Sequence, residues 1–311
     1  MAVILNQAMT DYAAGVAQDE QARMDLIKIL APTVVTGSML INYIKYDDDN
    51  MFQRLKTKRG VGGRARRMEF AGDPVTLELA PNSLEIPLDD IERKRAGAAM
   101  EGGAAALNTL VQAKTKTVVV TAYNSHLGEV VDAYTNNVAA EKGLGDWLNP
   151  NVDPIDEIDG ILVDLSRYMT PSHLVFDVGV WRVLKNHPKV VGRFKATAGV
   201  TLDMVMGLLA VPTIKPVISS VAFNGLGFNN AAQTKKGVLA GEMFALYNSA
   251  SPTQYDASAF KTFSTTENLF AGVFEYRDEA TRSDVYSLDW DAQVQQTSTK
   301  LVKRITVNAA K

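Results

Sequence analysis

"QRLKTKRGVGGRARRMEF", Gln53 to Phe70, holds seven basic residues, Arg54, Lys56, Lys58, Arg59, Arg64, Arg66 and Arg67, against one acid, Glu69. Gly60, Gly62 and Gly63 sit near its centre. Like charges this dense repel one another, so the stretch should stay extended, and the glycines let its tip bend without a backbone penalty. The flanks say what it joins. Before it, "SMLINYIKY" (38–46) alternates apolar and polar residues as a strand does, and "DDDN" (47–50) ends that strand. After it, "PVTLELAPNSLEIPL" (74–88) sets Val75, Leu77 and Leu79 on one side and Thr76, Glu78 and Ala80 on the other, the period of a strand. Residues 46–88 therefore read as a long protruding hairpin or extended loop, with its basic, glycine-rich part at the far end.

The stretch carries a local charge of +6 in a chain of −3 overall, so the remainder carries −9. Overall charge thus argues against affinity for nucleic acid or anionic membranes except through this segment. Aromatic residues are missing from its basic core, which leaves no stacking platform for single strands. The chain contains no cysteine, which excludes disulfides, thiolate nucleophiles and cysteine metal sites. Its start, "MAVILNQAMTDYAAG", has no basic n-region and no long apolar run, so it is not a signal peptide. No run of about 18 apolar residues exists to span a membrane. A chain of 311 residues can bury a sizeable core, in one large domain or two smaller ones.

Residues 10–30 read as a helix capped by Thr10 or Asp11 and followed by Pro32. Its large apolar residues, Val16, Met24, Ile27 and Leu30, are sparse, so it reads as an arm that needs a partner to bury it. Ala104–Leu127 lacks both Gly and Pro, and Leu107, Leu110, Val111, Val118, Thr121 and Ala122 recur at spacings of three and four. That predicts a helix of at least about 24 residues, roughly 36 Å long. The run "TVVV" (117–120) favours a competing strand, outweighed by length and by the alanines before it. "DPIDEIDGILVDLSRY" (153–168) is a helix with Asp153 as cap, Pro154 at its first position and Ile155, Ile158, Ile161, Leu162 and Leu165 as its buried stripe. "HLVFDVGV" reads as a strand, "VWRVLKNH" as a short helix stopped by Pro188, and "TLDMVMGLLA" as a helix capped by Thr201. Strands follow in "PTIKPVISSVAF", "KGVLAGEMFALYN", "NLFAGVFEYRD", "SDVYSLDW" and "KLVKRITV". The class is α+β, without regular βαβ alternation.

The chemistry-bearing patterns fail on context. Gly60, Gly62 and Ala65 spell G-x-G-x-x-A, but neither a buried strand precedes nor a helix follows, as a dinucleotide site needs. His126, His173 and His187 form no compact metal pair, and capping or surface roles fit them better than ligation. "DDDN" lacks the glycine and glutamate of a calcium loop. There is no phosphate-binding loop and no nucleophile elbow. No catalytic, metal or cofactor site is expected.

The order of segments resembles the major capsid protein of tailed bacteriophages, the Hong Kong 97-type capsid fold. The helix-then-strand "GLLAVPTIKPVISSV" is similar to that family's central core, and "GVFEYRDEATRSDVYSLDWDAQVQQTSTKLVKRITVNAA" to its closing strands. The resemblance implies an N-terminal arm over 1–45, an extended loop over 46–88 and a spine helix with part of a peripheral domain over 89–129. A central, or axial, domain would cover 130–260, and the return strands of the peripheral domain 261–311. It implies a structural protein, not an enzyme, that self-assembles into hexameric and pentameric capsomers of an icosahedral head around double-stranded DNA. Synthesis would be in the host cytoplasm and residence in the virion. The loop tip would cross to an adjacent subunit, with Glu275, Asp278 and Glu279 as candidate acidic partners. Some members cross-link through a loop lysine; Lys56 and Lys58 lie on the loop, but no partner asparagine or catalytic glutamate is identified. The family's N-terminal scaffolding extension is missing, which implies a separate scaffolding protein beside a portal and a decoration protein. DNA would be contacted non-specifically. Two alternatives stand beside this reading: an encapsulin-like shell around protein cargo, and an enzyme whose site is unreadable.

Overall fold

The computed structural model describes residues 4–46, 50, 53–68, 71–98, 103–194, 199–224, 235–270 and 272–308. The chain divides into two compact units, one of residues 1–39, 79–132 and 262–294, the other of residues 40–78, 133–261 and 295–311.

The first unit is built on a sheet whose long central strand, Ser283–Gln296, pairs antiparallel with both Val273–Asp278 and Ala80–Asp89. Phe260–Ser264 joins it on the path to Thr33–Val35, with which it runs parallel. The short strand Ile4–Leu5 extends the other edge, against Phe274 and Glu275. Two helices, Gln7–Asp19 and Gln21–Leu30, replace the single helix expected over 10–30. The first starts earlier than Thr10 because Asn6 is its cap, accepting from the Met9 N–H at 3.1 Å. Nor is this arm waiting for a partner. Ala13, Val16, Ala17, Leu26, Ile27 and Leu30 are all buried. The stripe counted from large residues overlooked Ala13, Ala17 and Leu26, whose small or in-phase side chains allow close packing. Polar contacts tie the arm to the same unit: Arg23 Nε donates to Asn124 Oδ1 at 2.8 Å, and Thr10 Oγ1 accepts from the Val273 N–H at 3.2 Å.

Asn124 belongs to the longest helix, Gly103–Asn137, whose 35 residues make it about 52 Å long. "TVVV" is helical: Val118 and Val119 are buried, and Thr117 returns its hydroxyl to the Ala113 carbonyl at 2.9 Å. The helix also runs ten residues past Leu127. Gly128 costs about 1 kcal/mol of helix propensity, but Val130, Val131 and Tyr134 continue the buried stripe beyond it. His126 is a correction. It neither caps nor faces solvent; it is fully buried on this helix, edge-on to Phe270 at 6.4 Å between centroids.

The second unit centres on a four-stranded sheet in the order Val302–Thr306, Glu242–Leu246, His173–Asp177, Lys215–Ser219. The last two strands are parallel and are joined through helices, the one βαβ crossover of this sheet. The helix Pro154–Ser166 packs Ile155, Ile158, Ile161, Leu162 and Leu165 into its core, and Asp153 caps it, accepting from the Ile155 N–H at 3.2 Å. The strand at His173 ends three residues sooner than expected because the Asp177 carboxylate accepts from the Gly179 N–H at 2.9 Å and starts the helix Val178–Asn186. Tyr134 stacks on Phe260 at 4.0 Å and meets Phe244 edge-on at 5.1 Å.

Candidate intersubunit surface

A separate two-stranded sheet, Leu40–Tyr46 with Gly72–Glu78, carries the basic stretch. Its register runs from Leu40 opposite Glu78 to Tyr46 opposite Gly72. Period-two patterning makes this possible: Ile41 and Leu77 face one another and are both buried, while Thr76 Oγ1 donates across the strands to Asn42 Oδ1 at 2.7 Å. The returning chain leaves the hairpin at Glu78. Ala80–Asp89 pairs instead with Ser283–Ala292 in the first unit's sheet.

Beyond the paired strands, Asn50 closes the base of the loop. Its side chain is bonded twice to the Ala71 backbone, standing in for another rung of the ladder. In the sequence Asn50 is only the last residue of the strand-ending run "DDDN", because a side-chain amide that imitates a backbone rung leaves no periodic signal. Asp47–Asp49 and Glu69 lie outside the described residues.

At the far end, the Gly63 N–H bonds the Gly60 carbonyl at 3.0 Å, and Gly62 has φ +78°. A positive φ at the third position of a four-residue turn is the type II pattern, which demands glycine there. No helix follows, so the G-x-G-x-x-A spelling serves this turn rather than a phosphate. Arg54, Lys56, Lys58, Arg59, Arg64, Arg66 and Arg67 are all exposed. Among the described residues the tip's side chains make one such contact, Arg59 Nη1 donating to the Gly63 carbonyl at 3.1 Å, and no ion pair. Val61, at the apex, is fully exposed, and Met68 is 60% exposed.

The three candidate acids differ in availability. Glu275 accepts from Asn6 Nδ2 at 2.7 Å, so it is occupied holding the arm. Asp278 accepts from the Ala280 N–H at 3.0 Å and from Thr281 Oγ1 at 2.7 Å, and the Thr281 hydroxyl holds its carboxyl below the ordinary range. Glu279 is exposed.

No protein-family profile matches the chain, and no curated protein sequence does. Solved structures do. A phage-related protein from Bordetella bronchiseptica RB50 superposes with a TM-score of 0.67 at 17% identity, over 99% of this chain and 99% of that one. A protein assigned as the capsid protein of a prophage in Escherichia coli CFT073 gives 0.56 at 9% identity, over 99% and 100%. The chain has the Hong Kong 97-type capsid fold. The SrpI encapsulin of Synechococcus elongatus PCC 7942 also shares this capsid fold with the chain, at a TM-score of 0.50 and 10% identity over 92% and 88%.

Proposed function

We propose that this chain is the major capsid subunit of a tailed bacteriophage, assembling into hexameric and pentameric capsomers of an icosahedral head around double-stranded DNA. The observation that carries the reading is full-length agreement of fold with proteins described as phage-related and as a prophage capsid protein. A two-stranded hairpin is marginal in water by itself, and this one ends in an unpaired basic tip, so both features favour a life against a neighbouring copy. We assign residues 1–39 to the arm and 40–78 to the extended loop in place of 46–88, because Leu40–Tyr46 pairs with Gly72–Glu78 while Ala80–Asp89 pairs with Ser283–Ala292; 79–137 is the spine region, which takes in the whole helix Gly103–Asn137, 138–260 the axial domain and 261–311 the return strands. The seven basic residues act between subunits, and Gly60, Gly62 and Gly63 shape the turn that presents them. A separate scaffolding protein, a portal and a decoration protein complete the assembly. The packaged DNA is touched without sequence preference, and the subunit resides in the virion after synthesis in the host cytoplasm.

The encapsulin structure supports a second reading, a shell around protein cargo. One experiment tests both. The chain is expressed, separated by size exclusion and imaged by negative-stain microscopy, alone and with its neighbouring genes. Closed particles of uniform size support a shell, and double-stranded DNA within them separates a phage head from a cargo compartment. A stable monomer or dimer under every condition overturns both in favour of an enzyme.

A further inference from the structure

In the second unit one residue ends a helix and begins the next. The His187 N–H bonds the Leu184 carbonyl at 3.2 Å as the helix Val178–Asn186 closes. The His187 carbonyl accepts from the Val190 and Val191 N–H groups, at 3.0 and 2.9 Å, as the helix Pro188–Arg193 opens. His187 is only 2% exposed, and both ring nitrogens are engaged: Nδ1 with the Lys189 N–H and Nε2 with the Asn149 carbonyl, each at 3.3 Å. A backbone N–H can only donate and a carbonyl can only accept. The two contacts therefore select one species, the neutral ring with its proton on Nε2. The usual capping residues are Ser, Thr, Asp and Asn, none of which titrates between about pH 5 and 8 as histidine does. The same corner holds the turn after Asn149. Lys189 Nζ donates to the Asn151 carbonyl, and Arg193 Nη2 bonds Asp153 Oδ2 at 2.8 Å and Asp156 Oδ1 at 3.0 Å. Asn151, Val152, Asp153 and Lys189 contribute to the lining of a cleft of about 860 Å³ along the helix Pro154–Ser166.

We propose that His187 is a proton-operated latch: the neutral ring joins the helix Pro188–Arg193 to the turn at Asn149, and the protonated ring lets that helix go, loosening the side of the cleft that Lys189 lines. The inference goes beyond the shell reading and holds whether or not the chain forms particles. A protonated imidazole donates from both nitrogens and accepts at neither. Its bond to Asn149 survives, while the contact with Lys189 becomes a meeting of two donors at a buried site. Turning the ring over does not help, because neither nitrogen keeps a lone pair. The charged groups at this corner are Lys185 and Lys189 on the two helices, Arg193 at the end of the second, and Asp146, Asp153 and Asp156 on the side of the turn. Among the described residues no carboxylate pairs with the His187 ring, whereas His126 has Glu129 at 3.5 Å. A proton arriving on His187 therefore meets no counter-ion that would hold the cap closed. Burial works to raise the Asp153 carboxyl, but the bond from Arg193 and its charge prevail and hold it below 3.8. That pair stays ionised while a histidine titrates, so the cap is the part that acid removes.

The test is amide hydrogen exchange of the full chain between about pH 7.5 and 5, with intrinsic rates divided out, in the original protein, His187→Asn and His187→Ala. In the original, exchange over Lys189–Arg193 should rise about tenfold as the pH falls, relative to the strand His173–Asp177. His187→Asn keeps an acceptor for the Lys189 N–H and has no proton to gain, so its profile should be flat with pH. His187→Ala has no acceptor at any pH, so its profile should also be flat, but at the faster exchange of the acidified original. His126 and His173 are present in all three proteins, so a response that they cause appears in all three. No rise in the original, or a rise that persists in His187→Asn, overturns the latch. Should the variants fail to fold, the ring itself is read by nitrogen NMR in the original chain labelled at histidine. A neutral ring protonated on Nε2, becoming the cation at the pH where protection of Lys189–Arg193 falls, supports the proposal. A ring protonated on Nδ1 at neutral pH, or a cation formed with no change in protection, overturns it.

Discussion

The side chain of Asn50 is hydrogen-bonded in both directions to the backbone of Ala71: its amide donates to the Ala71 carbonyl at 2.6 Å and its carbonyl accepts from the Ala71 N–H at 3.1 Å. Asn50 itself is buried, with only 8% of it exposed, while Ala71 is exposed. The pair sits where the paired strands end and the basic loop begins, and it keeps like-charged flanks from splaying the hairpin.

Asn50→Ala removes both bonds; Ala71 is exposed, so water takes up its N–H and C=O, and the local cost is that of two ordinary hydrogen bonds, about 0.5–1.5 kcal/mol each. The expected outcome is faster hydrogen exchange at Ala71 and along Gly72–Glu78, with exchange in the sheet around Ser283–Gln296 unchanged. Equal protection of the hairpin in both proteins would show that the strands alone hold the loop base.

For the arm, burial on its own subunit predicts resistance to proteolysis before about Ser38 even in unassembled protein. Trypsin should cut first within the exposed stretch Arg54–Arg67. Leu30 is fully buried, so Leu30→Ala should destabilise the subunit by about 2–5 kcal/mol and make the arm the earlier site of cleavage. Early loss of the arm from the unmodified subunit would contradict this packing.

These outcomes also mark what a sequence reader could and could not see. The helix Pro154–Ser166 was legible to the residue at its start, because its cap, its proline and its apolar stripe all agree, while its end falls two residues before the expected Tyr168. The helix Gly103–Asn137 was legible in kind but cut short at Gly128, where burial of Val130, Val131 and Tyr134 outweighs one glycine. Strand patterning over 74–88 was correct, yet nothing local says that the chain changes sheets at Leu79, since both halves alternate equally well. The basic tip was visible at once as charge, and its turn as three glycines.

Arg304 offers a test of the second unit. Its guanidinium grips Glu242 with two bonds, 2.8 Å from Nε and 2.9 Å from Nη2, and donates to the carbonyls of Thr135 and Val138 at the end of the helix Gly103–Asn137. The pair is largely buried, with side-chain exposures of 15% and 7%. Arg304→Met should therefore cost about 3–5 kcal/mol, because it strands a buried carboxylate. Arg304→Lys should recover only part of the loss, since an ammonium cannot reproduce the fork. Urea unfolding measures both, and a lysine variant as stable as the original would show that charge alone matters.

Acid should loosen the helix Asp90–Ala98 before the rest of its unit. Arg277 donates to both carboxylate oxygens of Asp90, at 2.9 and 2.8 Å, and these bonds hold the Asp90 carboxyl below its ordinary value of 3.8. The bond from Lys114 does the same to Glu92, below 4.5. A carboxyl lowered in the folded state binds its proton more tightly when unfolded, so this stability is complete above the ordinary values and is lost as pH falls through the lowered ones. Hydrogen exchange in 90–98 should accelerate, relative to the central strand, between about pH 5 and pH 2 once intrinsic rates are divided out. Asp90→Asn should flatten most of that dependence, and an unchanged profile would assign the acid response elsewhere.

The tip itself decides whether its charge has a use. Arg64, Arg66 and Arg67 are exposed and without ion pairs among the described residues, so reversing all three to glutamate removes no contact that holds the subunit together. The variant should be soluble, with an unchanged unfolding midpoint. Each exposed ion pair is worth about 0–1 kcal/mol, so a single Arg66→Glu should be tolerated. The loss recurs at every subunit of a shell, however, and three reversals turn each attraction into a repulsion. Light scattering should therefore show the triple variant failing to assemble at concentrations where the original chain closes. Salt should act in the same direction on the original chain, because the screening length falls to about 3 Å at 1 M. Apolar burial strengthens rather than weakens in such solutions when the salt is sulfate, so chloride is the informative choice. Normal, salt-resistant particles from the triple variant would leave the seven charges as a solvated loop, with the hairpin strands alone making the contact.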